Sequence, residues 1–177
     1  RQAVASWPCL QAAGIGAATR KRRWVYSPKS YEAGTPRMSL MWNARGVAYW
    51  TDGGTDERII WGTGDGYLIA VDAKTGRPCE DFGENGRVDL TIGIPRAKRG
   101  EKDELGALLY SMASPPIVIG DVVVTGSSIS DRRNVIETPP GDVRGWDART
   151  GAPRWAFDTI THRGDLGNAR GGTRDGE

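Results

Sequence analysis

The chain has 177 residues, which accommodates one domain or part of a larger one and excludes a large multidomain enzyme. Gly (25) and Pro (10) make up about a fifth of it, above average usage yet below the level of low-complexity disorder, and seven Trp demand a packed interior. A formal charge of +2 from 24 basic and 22 acidic residues is too small and too evenly mixed to point to a nucleic-acid partner, and no apolar run approaches the roughly 18 to 20 residues of a membrane helix.

The chain begins with Arg1 and no apolar signal core follows, so the expectation is an upstream segment removed or a start that is missing. Residues 1–17 match no pattern. Cys9 and Cys79 fit no zinc spacing and form no disulfide framework, so the redox compartment is not legible from them. Arg20, Lys21, Arg22 and Arg23 stand together, either as a phosphate-binding patch or as a solvated edge before an apolar strand.

From there the chain reads as short strands between turns: Arg22 to Tyr26, Gly46 to Trp50, Arg58 to Thr63, Tyr67 to Asp72, Pro116 to Ile119, Val122 to Gly126, Asp142 to Asp147 and Pro153 to Phe157. No segment carries a sustained helical period. Consecutive apolar positions, as in Tyr67-Leu68-Ile69-Ala70-Val71 and Val122-Val123-Val124, predict strands covered on both faces.

A repeat organises these strands. Ala70-Val71-Asp72-Ala73-Lys74-Thr75-Gly76 recurs as Gly145-Trp146-Asp147-Ala148-Arg149-Thr150-Gly151, with a worn third copy at Ala18-Thr19-Arg20 before Trp24. In each clear copy the strand ends on an Asp able to bond turn amides, and the Gly supplies a positive φ that closes the hairpin. The next strand is expected at Phe82 in the first copy and at Trp155 and Phe157 in the second. Self-similar units of four short strands with both sheet faces buried predict β-propeller blades. The wide spacing of the two copies leaves long excursions, at Gly93 to Gly106 and Ile129 to Gly141. The first reads as solvated loop; the second leaves through Thr125-Gly126-Ser127-Ser128 and reaches Asp131, placing hydroxyls and a carboxylate at one end of a sheet.

Other features carry less. Gly62-x-Gly64-x-Gly66 joins two strands without a following helix, so it reads as a hairpin turn and not a dinucleotide loop. His162 has no partner at ligand spacing, and Arg163-Gly164-Asp165 is a triplet of a kind that arises by chance.

Four stretches, in one order, resemble the quinoprotein alcohol and sugar dehydrogenases that use pyrroloquinoline quinone (PQQ). They are Asn43-Ala44-Arg45-Gly46-Val47-Ala48-Tyr49-Trp50; Leu68 to Gly76 with Asp81-Phe82-Gly83; Ser114-Pro115-Pro116-Ile117-Val118; and Gly126-Ser127-Ser128 followed by Gly141 to Asp147. The Asp-Ala-x-Thr-Gly repeat is shared with noncatalytic propellers, whereas the Arg-Gly-Val-Ala-Tyr-Trp and Ser-Pro-Pro elements make the resemblance specific. It covers about residues 20 to 168.

The resemblance implies an all-β fold, a partial β-propeller of about three to four blades from an eight-bladed ring, over residues 18–168, between an unmatched segment 1–17 and an unmatched tail 169–177. The tail's composition suggests a shifted reading frame or an artificial terminus. By the same resemblance PQQ lies over the propeller axis beside calcium, Arg45 and Ser128 contact the cofactor, and Asp131 is a calcium ligand. Taken without the family, Arg45 reads equally as a structural ion pair and Asp131 as a loop carboxylate.

Ser39-Leu40 stands where the methanol and ethanol branch has paired cysteines, which brings the chain nearer the sugar, polyol and cyclic-acid branch, and Ala113 stands where many relatives carry a threonine against the cofactor. The family's catalytic aspartate region lies downstream of this sequence, so the chain as given is not expected to turn over substrate. The implied function is oxidation of an alcohol or sugar hydroxyl, with electrons passed to a quinone or cytochrome, in the periplasm or on the periplasmic face of the inner membrane. A noncatalytic propeller scaffold and an inert gene fragment are the alternatives.

Overall fold

The computed structural model describes residues 2–6, 11–36, 46–102, 106–112, 114–129 and 139–159. Three antiparallel sheets follow one another along the chain. The first is β1 (Gln2–Ser6), β2 (Gln11–Ile15) and β3 (Arg22–Tyr26). After a single 3₁₀ turn at Ser30–Glu32 and the short β4 (Thr35–Pro36), the second sheet runs β5 (Ala48–Thr51), β6 (Glu57–Gly62), β7 (Tyr67–Asp72) and β8 (Arg87–Asp89) in sequential order. β9 (Ala107–Leu108) pairs in parallel with β4, and β10 (Tyr110–Ser111) pairs with β13 (Ser128–Ile129). The third sheet is β11 (Ile117–Ile119), β12 (Val122–Gly126), β14 (Val143–Asp147) and β15 (Pro153–Phe157).

Successive side chains on a strand point to opposite faces, and β6 and β7 use both. Ile60, Leu68 and Ala70 join Trp50, Phe82, Val88 and Trp146 in the core between the second and third sheets. Ile59, Trp61, Ile69 and Val71 pack with Ala12 and Trp24 between the first and second. This is why Leu68 to Val71 are apolar at consecutive positions and all buried. In β12 the burial alternates instead: Val123 is buried while Val122 and Val124 are only half-buried, because the described chain covers one face of that sheet.

The repeat builds the same hairpin three times. Gly76 N–H bonds Asp72 C=O at 2.8 Å, Gly151 N–H bonds Asp147 C=O at 2.8 Å, and Arg20 N–H bonds Gly16 C=O at 2.7 Å. Arg20 takes φ 54° where the others have glycine at 72° and 71°. In the two clear copies the Asp carboxylate caps the turn, Asp72 Oδ1 accepting from Thr75 N and Oγ1 at 2.7 Å each and Asp147 Oδ1 accepting from Thr150 N at 2.7 Å and Oγ1 at 2.9 Å.

Each turn also docks on the preceding sheet. Trp24 donates from Nε1 to Ala73 C=O at 3.1 Å, and its ring lies against Gly76 so closely that a Cβ there would sit 2.5 Å from Cδ2. Likewise Gly83 N–H bonds Thr150 C=O at 2.8 Å, and a Cβ on Gly151 would lie 3.4 Å from Phe82 Cδ2. Trp155, on the last described strand, is 43% exposed.

Three expectations change. Phe82 does not start the strand after the first turn: residue 78 makes one bridge to Val71, the chain loops out, and pairing resumes at Arg87. The loop is retained because Phe82 is wholly buried and serves as the ring against the next sheet's turn. Gly93 to Gly106 is not all solvated, since Ile94 is buried in the larger core. Residues 1–17, which show no sequence pattern, supply β1 and β2.

Candidate functional site

The register of the sheets defines two ends. At the lower end lie the docking turns and an ionic cluster between the second and third sheets. Arg58 is buried there, donating to Asp56 Oδ2 at 2.8 Å, to Asp81 Oδ2 at 2.7 Å and to Arg149 C=O. Burial opposes its charge, but the two carboxylates outweigh that and raise its pKa above the ordinary arginine value. Arg58 and Arg149 both sit over the Trp50 ring, at 5.4 and 5.2 Å, and Trp50 Nε1 donates to Asp121 at 3.0 Å. With Arg58, Arg149 and Trp50 all partnered, this end is a structural joint.

The upper end is where β5 and β11 begin, and it gathers segments far apart in sequence. The hairpin between β6 and β7 closes through Thr63 N–H to Tyr67 C=O at 2.8 Å, as the glycine cluster predicts. Met112 N–H bonds Thr63 C=O at 3.1 Å, and Leu90 N–H bonds Gly66 C=O at 2.9 Å. Gly46 approaches Pro115, whose Cβ would be 3.4 Å from a Cβ at position 46.

Polar side chains accumulate here inside the protein. Thr63, Asp65, Thr91, Ser111, Thr125, Asp142 and Arg144 are all buried. Arg144 donates to Leu90 C=O at 3.0 Å and stacks over Trp146 at 4.3 Å, while Trp146 Nε1 donates to Thr125 Oγ1 at 2.9 Å. Burial lowers the Arg144 pKa from its ordinary value. Tyr110, only 5% exposed, contacts Ser127 Oγ at 3.2 Å, and Ser127 Oγ donates to Asp142 C=O at 3.1 Å. Burial raises the Tyr110 phenol pKa, with the Ser127 bond opposing. Asp65 Oδ1 is buried and has no hydrogen-bond partner among the described residues. A buried carboxylate oxygen without a donor is costly and marks a place suited to a further polar or cationic group.

Of the sequence-predicted site residues, Ser128 lies in β13, its backbone opposite Ser111. Arg45 and Asp131 lie outside the described residues, as do Ser39, Leu40 and Ala113. Among the described residues nearest to them, Gly46 lies against Pro115 and Ile129 pairs with Tyr110. Among the described residues no group of three or more His, Cys, Asp or Glu is placed to hold a metal ion, and no helix is long and apolar enough to cross a membrane. Tyr110, Arg144 and Asp65 were not singled out from the sequence. The available signal was a charged or hydroxylated residue adjoining an otherwise apolar strand, which is too common to select them.

Comparison with known proteins agrees with this architecture. The PQQ family model described as "Glucose/ethanol/alcohol dehydrogenase, beta-propeller domain" matches residues 5–176. Quinoprotein glucose dehydrogenase A of Acinetobacter calcoaceticus is 34% identical over 166 residues, covering 84% of this chain and 19% of that protein. The quinate/shikimate dehydrogenase (quinone) of Acinetobacter baylyi is 44% identical over 102 residues, covering 57% of this chain and 12% of that protein. Among solved structures, quinohemoprotein alcohol dehydrogenase from Comamonas testosteroni superposes with a TM-score of 0.62 at 22% identity, covering 89% of this chain and 19% of that one. The chain thus spans about a fifth of the length of the glucose dehydrogenase and of the quinohemoprotein, and its match covers about an eighth of the quinate/shikimate dehydrogenase.

Proposed function

Because the chain belongs to the PQQ-dependent glucose/ethanol/alcohol dehydrogenase β-propeller family, we propose that it supplies cofactor-binding blades for oxidation of a sugar, polyol or other alcohol hydroxyl. The observation that supports this is the buried polar set at the upper end, among it Asp65 Oδ1, which has no hydrogen-bond partner among the described residues.

The donor set suits an anionic planar quinone with a hard cation. Arg45 would hold a carboxylate or carbonyl oxygen of PQQ through forked, charge-assisted hydrogen bonds. The Ser128 hydroxyl would add a neutral hydrogen bond, and Asp131 would give calcium a carboxylate oxygen, the ligand type that cation prefers. When bound, PQQ with calcium would accept the substrate's electrons, calcium acting as a Lewis acid. The chain's own part is to bind and orient. Arg144, buried and stacked over the buried Trp146 ring, fixes the side chains beneath this end. Electrons would pass on to a quinone or cytochrome, on the periplasmic side of the inner membrane.

Titration of the 177-residue chain with PQQ, followed by quinone absorbance with and without calcium, tests the reading. The expected result is saturable, calcium-dependent binding that Arg45→Ala and Asp131→Ala each weaken at least tenfold. Absence of saturable binding, or binding indifferent to both substitutions, overturns it and favours a noncatalytic scaffold.

A further inference from the structure

A cleft of about 780 Å³ runs along β8, the edge strand of the second sheet, three strands from β5 and so about 14 Å from it at the ordinary strand spacing. None of the buried polar residues of the upper end lines it. All three sheets supply its walls: Tyr26 from β3, Tyr67, Arg87 and Asp89 from β7 and β8, and the turn 150–152 that leads into β15. Its volume lies in the range of sites for small molecules.

Two guanidinium groups converge inside it. Arg99 lies 5.0 Å from the centroid of the Tyr67 ring, and Arg87 lies 5.8 Å from the same centroid. A tyrosine face attracts a cation, but two cations held beside one ring repel each other. Asp89 offsets only one of them: its Oδ2 pairs with Arg99 Nε at 3.4 Å, while its Oδ1 accepts from Thr91 N at 2.8 Å and Thr91 Oγ1 at 2.6 Å. Arg87 instead donates from Nη2 to the Tyr26 hydroxyl at 3.1 Å, and no carboxylate among the described residues lies within ion-pair distance of it. Its place is fixed all the same. Tyr26 packs edge to face on Trp61, with ring centroids 5.8 Å apart and planes at 76°, so the first sheet orients an arginine of the second. The remaining guanidinium donors of Arg87 and Arg99 suit an anion between them.

Other lining groups narrow the choice of anion. Burial raises the pKa of the Tyr67 phenol, which therefore stays a neutral donor. Ile92, on the same cleft, is 67% exposed and offers apolar contact. Glu84 also lines it and opposes an anion of high charge.

We propose that this cleft binds a small organic oxyanion, a carboxylate or a phosphate ester on an apolar body, held by Arg87 and Arg99 with its body against Tyr67 and Ile92. Forked guanidinium donors match both head groups. The site is independent of PQQ, since its residues lie apart from the upper end.

Calorimetric titration of the 177-residue chain with benzoate and, separately, with phenyl phosphate tests this and distinguishes the head groups. Saturable one-to-one binding of at least one probe is expected, the tighter probe identifying the head group. Arg87→Gln and Arg99→Gln should each weaken it at least about tenfold, the size of one hydrogen bond to a charged group. Arg99 is half exposed, so Arg99→Gln keeps the test open should Arg87→Gln fail to fold. Tyr26→Phe, which releases Arg87, should weaken binding about threefold, and Glu84→Gln, which removes a like charge, should tighten it about twofold. Lys29→Gln, which removes an exposed charge paired with Glu32 outside the cleft, should change nothing. The site is overturned if neither probe saturates, if Arg99→Gln binds as the parent chain does, or if Lys29→Gln weakens binding as much as the arginine variants. Inorganic phosphate binding as tightly as phenyl phosphate would overturn the part given to Tyr67 and Ile92.

Discussion

Substituting Gly76 by alanine tests how the sheets are joined. Gly76 has φ 72°, and a Cβ there would stand 2.5 Å from both Cδ2 and Cε3 of Trp24 on the preceding sheet. Carbon atoms normally approach no closer than about 3.5 Å, so the methyl group forces an overlap of about 1 Å with a rigid ring. Trp24 is confined by Gly14 on its own sheet and by its Nε1 bond to Ala73 C=O. Relief therefore means prising the first sheet from the second. Three costs combine: about 1 to 2 kcal/mol for a side chain in the left-handed region, about 1 to 3 kcal/mol for overpacking, and about 1 kcal/mol for the lost hydrogen bond. Gly53 is the control, since it has φ 81° and nothing within 4 Å of the place a Cβ would take, so Gly53→Ala incurs only the backbone cost. The expected difference between the two variants is about 2 to 4 kcal/mol, read from urea denaturation followed by tryptophan fluorescence. A difference below about 0.5 kcal/mol would refute the docking argument, because the uncertainty of such comparisons is of that size.

Arg58→Met should destabilise by about 3 kcal/mol, because it removes the buried donor shared by Asp56, Asp81 and the Arg149 carbonyl, whereas Arg149→Met, which removes a half-exposed partner of Asp52 and Asp56, should cost under about 1 kcal/mol; equal effects in thermal melts would contradict the assigned burial. Burial alone would raise the Asp147 pKa, but the Thr150 amide, Arg154 and the Thr150 hydroxyl together hold it at about 2, against 3.8 ordinarily. A depressed carboxylate stabilises above its unfolded value and loses that contribution as pH falls through the folded one, so Asp147→Asn should flatten the fall in melting temperature between about pH 4 and pH 2; an unchanged profile counts against it. Burial pushes the Cys79 thiol up to about 11, despite the nearby Arg58, so its peptide should be alkylated by iodoacetamide at pH 8 about a hundredfold more slowly than an ordinary thiol, with the rate climbing towards pH 11; a plateau near pH 9 would show the thiol is not desolvated.

The sequence by itself determined the strands whose identity is local. Tyr67–Asp72, Val122–Gly126 and Pro153–Phe157 fall where the apolar runs and turn residues put them, because β-branched and aromatic runs set off by turn residues have few alternatives. The repeat was legible for the same reason, even in the worn copy where Arg20 stands in the glycine position and still adopts a positive φ. The resemblance to quinoprotein dehydrogenases rested on short motifs whose order and spacing survive in one dimension. What the sequence left open was pairing across distance. That Phe82 leaves its strand to cover Gly151, that β10 crosses to β13, and that Tyr110, Ser127 and Asp142 share one relay depends on which sheet lies beside which. The buried polar end emerges only when residues 63, 91, 110, 127 and 144 are brought together, since a hydroxyl or carboxylate at a strand end reads as solvent-facing until another sheet covers it.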